Sequence, residues 1–194
     1  MPKAEIYLVT PRIADAEAFA PILNATIKQT GAASVLLRLA PADERTTINR
    51  VKLLAPVAQA LGAAVLVEDD PTVAIRGGAD GVHVTAGPEA LQLAMEKLKP
   101  DRIVGQGALR LRHDAMEAGE AGVDYVMFGE PRLLRDGSEI APHLPAVIEQ
   151  ASWWAPLFQT PCVAYAASAE AVKPLEATGA EFVALGPWAF DPQG

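Results

Sequence analysis

Cysteine is nearly absent from this chain of 194 residues, because Cys162 is the only one. A single cysteine cannot form an intrachain disulfide, so the sequence excludes the disulfide-rich class of small secreted domains. Cys162 follows Pro161 in an apolar run, and we predict that it is a small buried side chain without a chemical role. A cytoplasmic setting is therefore expected.

Long apolar runs and an excess of positive charge are also missing. No apolar stretch approaches the roughly 20 residues that span a bilayer, and no apolar signal region follows Met1, so we expect no membrane segment. Lys and Arg number 16 against 24 Asp and Glu, a net charge of −8. Such a chain repels nucleic acid and anionic lipid, although a local basic pocket could still bind a phosphorylated small molecule.

What the sequence does contain is a repeat: a glycine, two or three small or acidic residues, and then a short apolar run. Glycine after a helix supplies a left-handed cap, and the apolar run is typical of a buried strand. The repeat begins at Gly31, Gly62, Gly78, Gly122 and Gly179.

Three further apolar runs, at Ile6–Thr10, Ile103–Gly105 and Cys162–Tyr165, bring the predicted strands to eight. Alternation of strands and helices predicts a parallel sheet, and eight units favour a closed, compact (β/α)8 barrel in a single domain over residues 1–194. An open doubly wound sheet is the alternative. Helices are predicted near 14–30, 45–61, 71–77, 88–98, 111–121, 143–155 and 168–178.

One irregular segment, Glu130 to Pro142, follows the sixth strand. Active sites of such barrels lie on the loops after the strands, so this segment is a candidate lid, with a mobile surface loop as the alternative.

Three segments resemble motifs of the thiamine phosphate synthases and the related thiazole tautomerases, in matching order over nearly the whole chain. They are Ile6-Tyr7-Leu8-Val9-Thr10, Gly78-Ala79-Asp80-Gly81-Val82-His83 and Asp124-Tyr125-Val126-Met127-Phe128-Gly129. The resemblance implies a TIM barrel and a role in thiamine biosynthesis. The implied reaction is a transfer that joins an aminopyrimidine diphosphate to a thiazole phosphate with loss of pyrophosphate, with Mg²⁺ as the cofactor.

On the second strand, the resemblance implies polar residues at 36, 38 and 40, but only Arg38 is polar here. Arg38 is thus the candidate catalytic residue, bound either to a ligand anion or to an internal carboxylate. Asp69 corresponds to a metal-binding aspartate, and the second metal carboxylate of the family is missing. Glu68 and Asp69 are possible metal ligands or partners of Arg38, while Asp70 and Pro71 have the pattern of a helix start.

His83 lies within the fourth strand and is the candidate pocket residue. It could act as a general acid or base, or it could be a hydrogen-bonded histidine of the barrel interior, which we favour.

The candidate phosphate-binding residues are Ser168 and Gly186, after strands seven and eight, and Arg132 and Arg135 in the lid segment. The two glycines of the family are absent before Ser168, and Pro187 has no N–H, so we expect a weakened phosphate site. The arginines could bind phosphate or could be solvated.

After the eighth strand only Pro187–Phe190 could form a short turn, so an eighth helix is not predicted within this chain. This predicts a bare flank on strands one and eight, with exposed residues such as Tyr7, Val9, Phe182 and Ala184. We expect a second subunit, as in a homodimer, or further residues to cover it. The candidate anchors are Trp153, Trp154 and Trp188.

Two main functional hypotheses follow, with a different reaction on a phosphorylated heterocycle as a third option. The first is a thiamine phosphate synthase-like enzyme with a degenerate site, from which little or no turnover is expected. The second is a regulatory or non-catalytic barrel that binds a phosphorylated small molecule.

Overall fold

Short parallel strands alternate with helices along the chain in the computed structural model, which describes residues 3–191. The strands are β1 (Glu5–Val9), β2 (Ser34–Leu37), β3 (Ala64–Glu68), β4 (Gly81–Val84), β5 (Ile103–Gln106), β6 (Tyr125–Phe128), β7 (Arg132–Leu133), β8 (Glu139–Ile140), β9 (Cys162–Ala166) and β10 (Phe182–Leu185). The helices are α1 (Ala16–Thr30), α2 (Glu44–Gln59), α3 (Pro71–Gly77), α4 (Pro88–Leu98), α5 (Arg112–Ala121), α6 (Leu144–Trp154) and α7 (Ala169–Glu176).

Eight of these strands close into a barrel in the order β1-β2-β3-β4-β5-β6-β9-β10. Closure is complete because β1 pairs in parallel with both β2 and β10. The predicted closed barrel is confirmed, and the open sheet is wrong. β7 and β8 form a separate antiparallel hairpin within the segment that we predicted to be irregular.

Local sequence signals account for the helix boundaries. Gly31, Gly78 and Gly122 adopt the left-handed conformation directly after α1, α3 and α5, as the glycine repeat predicts. At the start of α3, the Asp70 carboxylate accepts hydrogen bonds from the N–H groups of Thr72 and Val73, and Pro71 is the first helical residue. The chain therefore leaves each strand and returns to the next through a short helix that covers the barrel.

The strands alternate between two buried layers, as expected when both faces of a parallel sheet are covered. Outward residues such as Leu8 and Val35 pack against the helices, and Cys162 is buried among them, as predicted. Burial raises the pKa of the Cys162 thiol to about 12, which keeps it uncharged. The inward layer holds Tyr7, Val9, Leu36, Leu66, Tyr125, Met127, Val163, Tyr165 and Ala184.

The predicted bare flank on β1 and β10 is wrong for the described residues. Tyr7, Val9 and Ala184 are buried because they point into the barrel rather than outward. Among the residues that the structure describes after β10 there is a short 3-10 turn, Pro187–Phe190, as predicted, and its Phe190 packs against Phe19 of α1 with 5.4 Å between ring centroids. A homodimer stays a prediction, but this reason for it no longer holds.

The tryptophans proposed as interface anchors pack within the chain. Trp154 is fully buried, stacks on Phe158, and donates a hydrogen bond of 2.7 Å to the Thr160 carbonyl. Trp153 and Trp188 are half-buried. No helix among residues 3–191 is long and apolar enough to cross a membrane.

Candidate functional site

A cavity of about 570 Å³ opens at the carboxyl ends of the barrel strands. This is a volume suited to a small molecule, at the end of the barrel where parallel-barrel enzymes hold their active sites. The hairpin β7–β8 reaches over it, and Leu133 and Ile140 of the hairpin line it while remaining half-exposed. The predicted lid segment thus borders the cavity directly.

Arg38 enters the cavity from the end of β2, on the inner face that also carries Leu36. Its guanidinium group forms an ion pair with Glu139 of the hairpin, and its Nε lies 3.3 Å from Glu68. Burial acts to lower the pKa of Arg38, but the hydrogen bond and charge of Glu139, with the charge of Glu68, raise it above its ordinary value. Of the two partners that we predicted, an anion or an internal carboxylate, the structure shows the carboxylates.

Glu68 is shared between two arginines. Its other oxygen accepts a hydrogen bond of 3.0 Å from Arg12, whose side chain lies at the rim. Glu68 is therefore a partner of Arg38, which was one of the two roles proposed for it. The arrangement places two arginines and two glutamates in one group at the β1–β3 side of the cavity.

His83 lies on β4, next to Glu68 on β3, with its ring fully buried but bordering the cavity. Its Nδ1 lies 2.7 Å from the Tyr125 hydroxyl, which lies 2.8 Å from the Tyr7 hydroxyl, and its Nε2 is bound to Glu130. Burial acts to lower the pKa of His83, but the charge of Glu130, and more weakly of Glu68 and Asp69, raises it. The histidine is hydrogen-bonded inside the barrel, as favoured, and is also connected to the cavity through Glu130.

β5 and the residue that follows it make room for this chain of hydrogen bonds, because glycine occupies positions 105 and 107. A Cβ on Gly105 would collide with the Tyr125 ring, and a Cβ on Gly107 would collide with the Glu130 carboxylate. Neither glycine has a positive φ, so their role is space rather than backbone conformation. The two glycines position the polar groups of the neighbouring strands.

Asp69 does not face a metal site. Its carboxylate accepts hydrogen bonds from the N–H groups of Thr85 (2.6 Å) and Ala86 (3.0 Å) and from the Thr85 hydroxyl (2.8 Å). Asp69 has a φ of 53°, and its hydrogen bonds connect the segment after β3 to the segment after β4. No group of three or more His, Cys, Asp or Glu side chains within residues 3–191 could hold a metal ion. The residues present do not fit an all-protein Mg²⁺ site.

The candidate phosphate-binding residues are not brought together. Arg132 lines the cavity from the hairpin, whereas Arg135 lies in the hairpin turn away from it. Ser168 is exposed at the start of α7, and Gly186 is buried, with no space for a Cβ because the Tyr165 hydroxyl lies against it. Neither Ser168 nor Gly186 lines the cavity. The Trp188 indole, moreover, donates a hydrogen bond to the Ala166 carbonyl at the end of β9.

Four charged residues of the site were not predicted: Arg12, Arg110, Glu130 and Glu139. Glu130 follows β6 after a single glycine, and its position near the end of a strand was a signal that the sequence offered. Glu139 lies in the hairpin and Arg110 in the loop after β5, and neither carried such a signal, because the path of these segments depends on the tertiary structure.

A closed parallel barrel with a polar cavity at the carboxyl ends of its strands defines the class of barrel proteins that bind or transform small molecules. Two solved structures share this fold. One is thiamine phosphate pyrophosphorylase from Pyrococcus furiosus, with a TM-score of 0.71 and 22% identity over 94% of this chain and 85% of that one. The other is a truncated 3-deoxy-D-arabino-heptulosonate 7-phosphate synthase from Thermotoga maritima, with a TM-score of 0.65 and 13% identity over 94% of this chain and 74% of that one.

The family itself is given by the sequence. The profile described as thiamine monophosphate synthase matches residues 6–187, and the chain belongs to this family. It is 37% identical to a thiamine-phosphate synthase of Rhodospirillum centenum over 186 residues, covering 95% of this chain and 88% of the relative. A thiamine-phosphate synthase of Hyphomonas neptunium is 34% identical over 192 residues, with coverage of 95% and 85%. The resemblance seen in the strand motifs is confirmed, and with it the link to thiamine biosynthesis.

Proposed function

We propose that the cavity binds the phosphorylated heterocycles of thiamine biosynthesis and joins an aminopyrimidine diphosphate to a thiazole phosphate at a low rate. In that reaction the C–O bond to the diphosphate breaks, pyrophosphate leaves with the electron pair, and the thiazole nitrogen forms the new C–N bond. Family membership over nearly the whole chain supports the chemistry. The polar cavity at the carboxyl ends of the strands supports its location.

The observation that best supports a low rate is the ion pair between Arg38 and Glu139. A diphosphate that needs Arg38 must first displace a carboxylate of the protein itself. The absence of Ser168 and Gly186 from the cavity removes further donors that could stabilise the leaving group. Each preorganised donor that is missing can cost about 10²–10³ in rate.

Within this proposal Arg38 contacts the diphosphate once Glu139 has moved, and Arg110 and Arg132 at the rim attract phosphate groups. Neither rim arginine has an ion-pair partner in the part of the chain that the structure describes. In this proposal Mg²⁺ enters the cavity bound to the substrate phosphates, since the side chains present do not form a site for it. A cytoplasmic location is part of the same proposal.

The test is turnover and substrate binding of the purified chain with both substrates and Mg²⁺, for the wild type, Glu139→Gln, Arg38→Ala and Glu149→Gln. Glu149 is the matched control, because it pairs with Arg112 on the exposed face of α6, outside the cavity. Glu139→Gln should tighten diphosphate binding by about tenfold, the equivalent of one charge-assisted hydrogen bond of about 1.5 kcal/mol. Arg38→Ala should abolish turnover, and Glu149→Gln should change neither quantity.

Turnover of the wild type at ordinary enzyme rates, about 1–10³ s⁻¹, would refute the low rate. Binding of both substrates with no turnover in any variant would instead identify a barrel that binds these compounds without joining them.

A further inference from the structure

Glu130 is the one cavity glutamate whose charge is not matched by an arginine. Glu68 and Glu139 are held by Arg12 and Arg38, whereas the partner of Glu130 among residues 3–191 is the His83 ring. The side chain of Glu130 is 15% exposed and borders the cavity. This side of the cavity therefore presents a carboxylate that a ligand could use.

The proton count of the buried chain shows which way its hydrogen bonds run. Tyr7 has a hydroxyl partner only in Tyr125 within the described residues, so its proton is satisfied only if it donates to Tyr125. Tyr125 then donates to Nδ1 of His83, and Nε2–H of His83 donates to Glu130. The reverse direction would leave the Tyr7 proton buried without an acceptor, which costs free energy. Glu130 is thus the terminal acceptor of three donors that all point towards the cavity.

The Glu130 carboxylate can accept further hydrogen bonds after this one. His83 binds Oε1, and Oε2 has no hydrogen-bond partner in the described part of the chain. Oε2 is also not among the buried side-chain atoms that lack a partner, so it is accessible. A carboxylate oxygen accepts hydrogen bonds and cannot donate, so it selects an N–H group or a cation.

Two lining residues have the opposite preference. Arg110 and Arg132 are exposed at the rim of the cavity and attract anions. A ligand that satisfies Glu130 and these arginines carries both an amino-substituted or cationic ring and a phosphate.

We propose that Glu130 is the specificity-determining residue for the amino-substituted ring, with Oε2 accepting a hydrogen bond from its exocyclic N–H. His83, Tyr125 and Tyr7 are positioning residues that fix the carboxylate, and Gly107 leaves the space in which it lies. This assignment rests on the proposed function, because it concerns the recognition of one of the two substrates at the same cavity.

The test is calorimetric titration of the whole chain with two probes: an aminopyrimidine monophosphate, and the same compound with hydrogen in place of the amino group. The wild type should bind the amino probe about 10- to 100-fold more tightly, as expected for a hydrogen bond to a charged acceptor. Glu130→Gln should reduce this preference to about threefold or less. The amide oxygen takes the His83 N–H, so the amide NH2 faces the cavity and presents a donor to a donor.

Glu139→Gln is the matched control, a cavity glutamate with the same change of charge, and it should keep the full preference. If Glu130→Gln does not fold by circular dichroism, Glu130→Asp replaces it, since the shorter side chain withdraws the carboxylate from His83 and from the ligand. Two results would overturn the role of Glu130 and leave the proposed function standing. The wild type could bind both probes equally well, or the preference could be unchanged in the Glu130 variants while both probes still bind. Failure of the wild type to bind either probe overturns the proposed function together with it.

Discussion

The three tyrosines of the chain, Tyr7, Tyr125 and Tyr165, all lie inside the barrel. Burial raises the pKa of each: that of Tyr125 rises well above its ordinary value, and that of Tyr165 rises to about 12. Above pH about 10 the unfolded chain loses phenol protons that the native chain retains. Because the native state then binds more protons, the free energy of unfolding decreases as the pH rises beyond this value.

We therefore expect no phenolate absorbance from the native protein at pH about 10.5, half a unit above the ordinary tyrosine pKa. The band should grow only as the protein unfolds, in step with the loss of circular dichroism at higher pH. A gradual phenolate signal in protein that is still folded would show that at least one of the three hydroxyls is accessible to solvent.

Asp69 provides the second test at the level of a residue. Its carboxylate links the segment after β3 to the segment after β4, so Asp69→Ala should cost about 1–3 kcal/mol in the free energy of unfolding. Urea denaturation measures this cost. Asp136→Ala is the control, because Asp136 accepts a comparable bond from Ser138 in an exposed turn and should cost less.

The same geometry predicts that Mg²⁺ alone does not stabilise the protein. A protein site filled at 100 times its dissociation constant would add about 2.7 kcal/mol and raise Tm by about 5–10 °C. We expect no measurable change in Tm when Mg²⁺ is added without a phosphorylated ligand. A rise of several degrees would mean that a metal site exists in the free chain.

At the scale of elements, the end of β5 is followed by Gly107, whose missing side chain leaves room for Glu130. Gly107→Ala should destabilise the protein by about 1–3 kcal/mol, because the added methyl group meets the Glu130 carboxylate. In a Glu130→Ala background the same substitution should cost less, since the colliding group is gone. Equal costs in the two backgrounds, measured by urea denaturation, would show that the glycine serves another purpose.

The elements also show what the sequence could predict. Helix and strand positions followed from glycine caps, N-caps and apolar runs, because these are local signals, and α3 and α4 lie at the predicted positions. The hairpin β7–β8 was not predicted, because strands of two residues carry no alternation. Its turn is a local feature, with Gly137 at positive φ and Asp136 accepting from Ser138, whereas its position over the cavity depends on the ion pair with Arg38.

The site was predictable to the same limited degree. Alternation along β2 placed Arg38 in the cavity, and position on β4 placed His83 inside the barrel. Their partners are far away in the sequence: Glu139 lies 101 residues from Arg38, and Glu130 lies 47 residues from His83. Neither local spacing nor composition indicates which of the 24 acidic residues will pair with Arg38 or His83 in the cavity.

For the whole molecule, the barrel closes through the pairing of β1 with β10, and a short turn after β10 packs on α1 in the described chain. Phe190 in that turn is buried and packs on Phe19. Phe190→Ala should therefore cost about 3–5 kcal/mol in the free energy of unfolding, the usual range for a buried phenylalanine.

Leu157→Ala is the control for this prediction, because Leu157 is 66% exposed and should cost less than about 0.5 kcal/mol. Equal losses for the two variants in urea denaturation would show that the turn contributes no more to stability than the surface does.

The space beside β5 also has a consequence for how the sequence can change over generations. Glycine at 107 and glutamate at 130 are compatible only as a pair, because any side chain at 107 removes the room for the carboxylate. In a laboratory population that drifts under selection for ligand binding, position 107 should accept larger residues only in lineages where position 130 has already become smaller. The order of the two substitutions is thereby fixed, and sequencing successive rounds would reveal it.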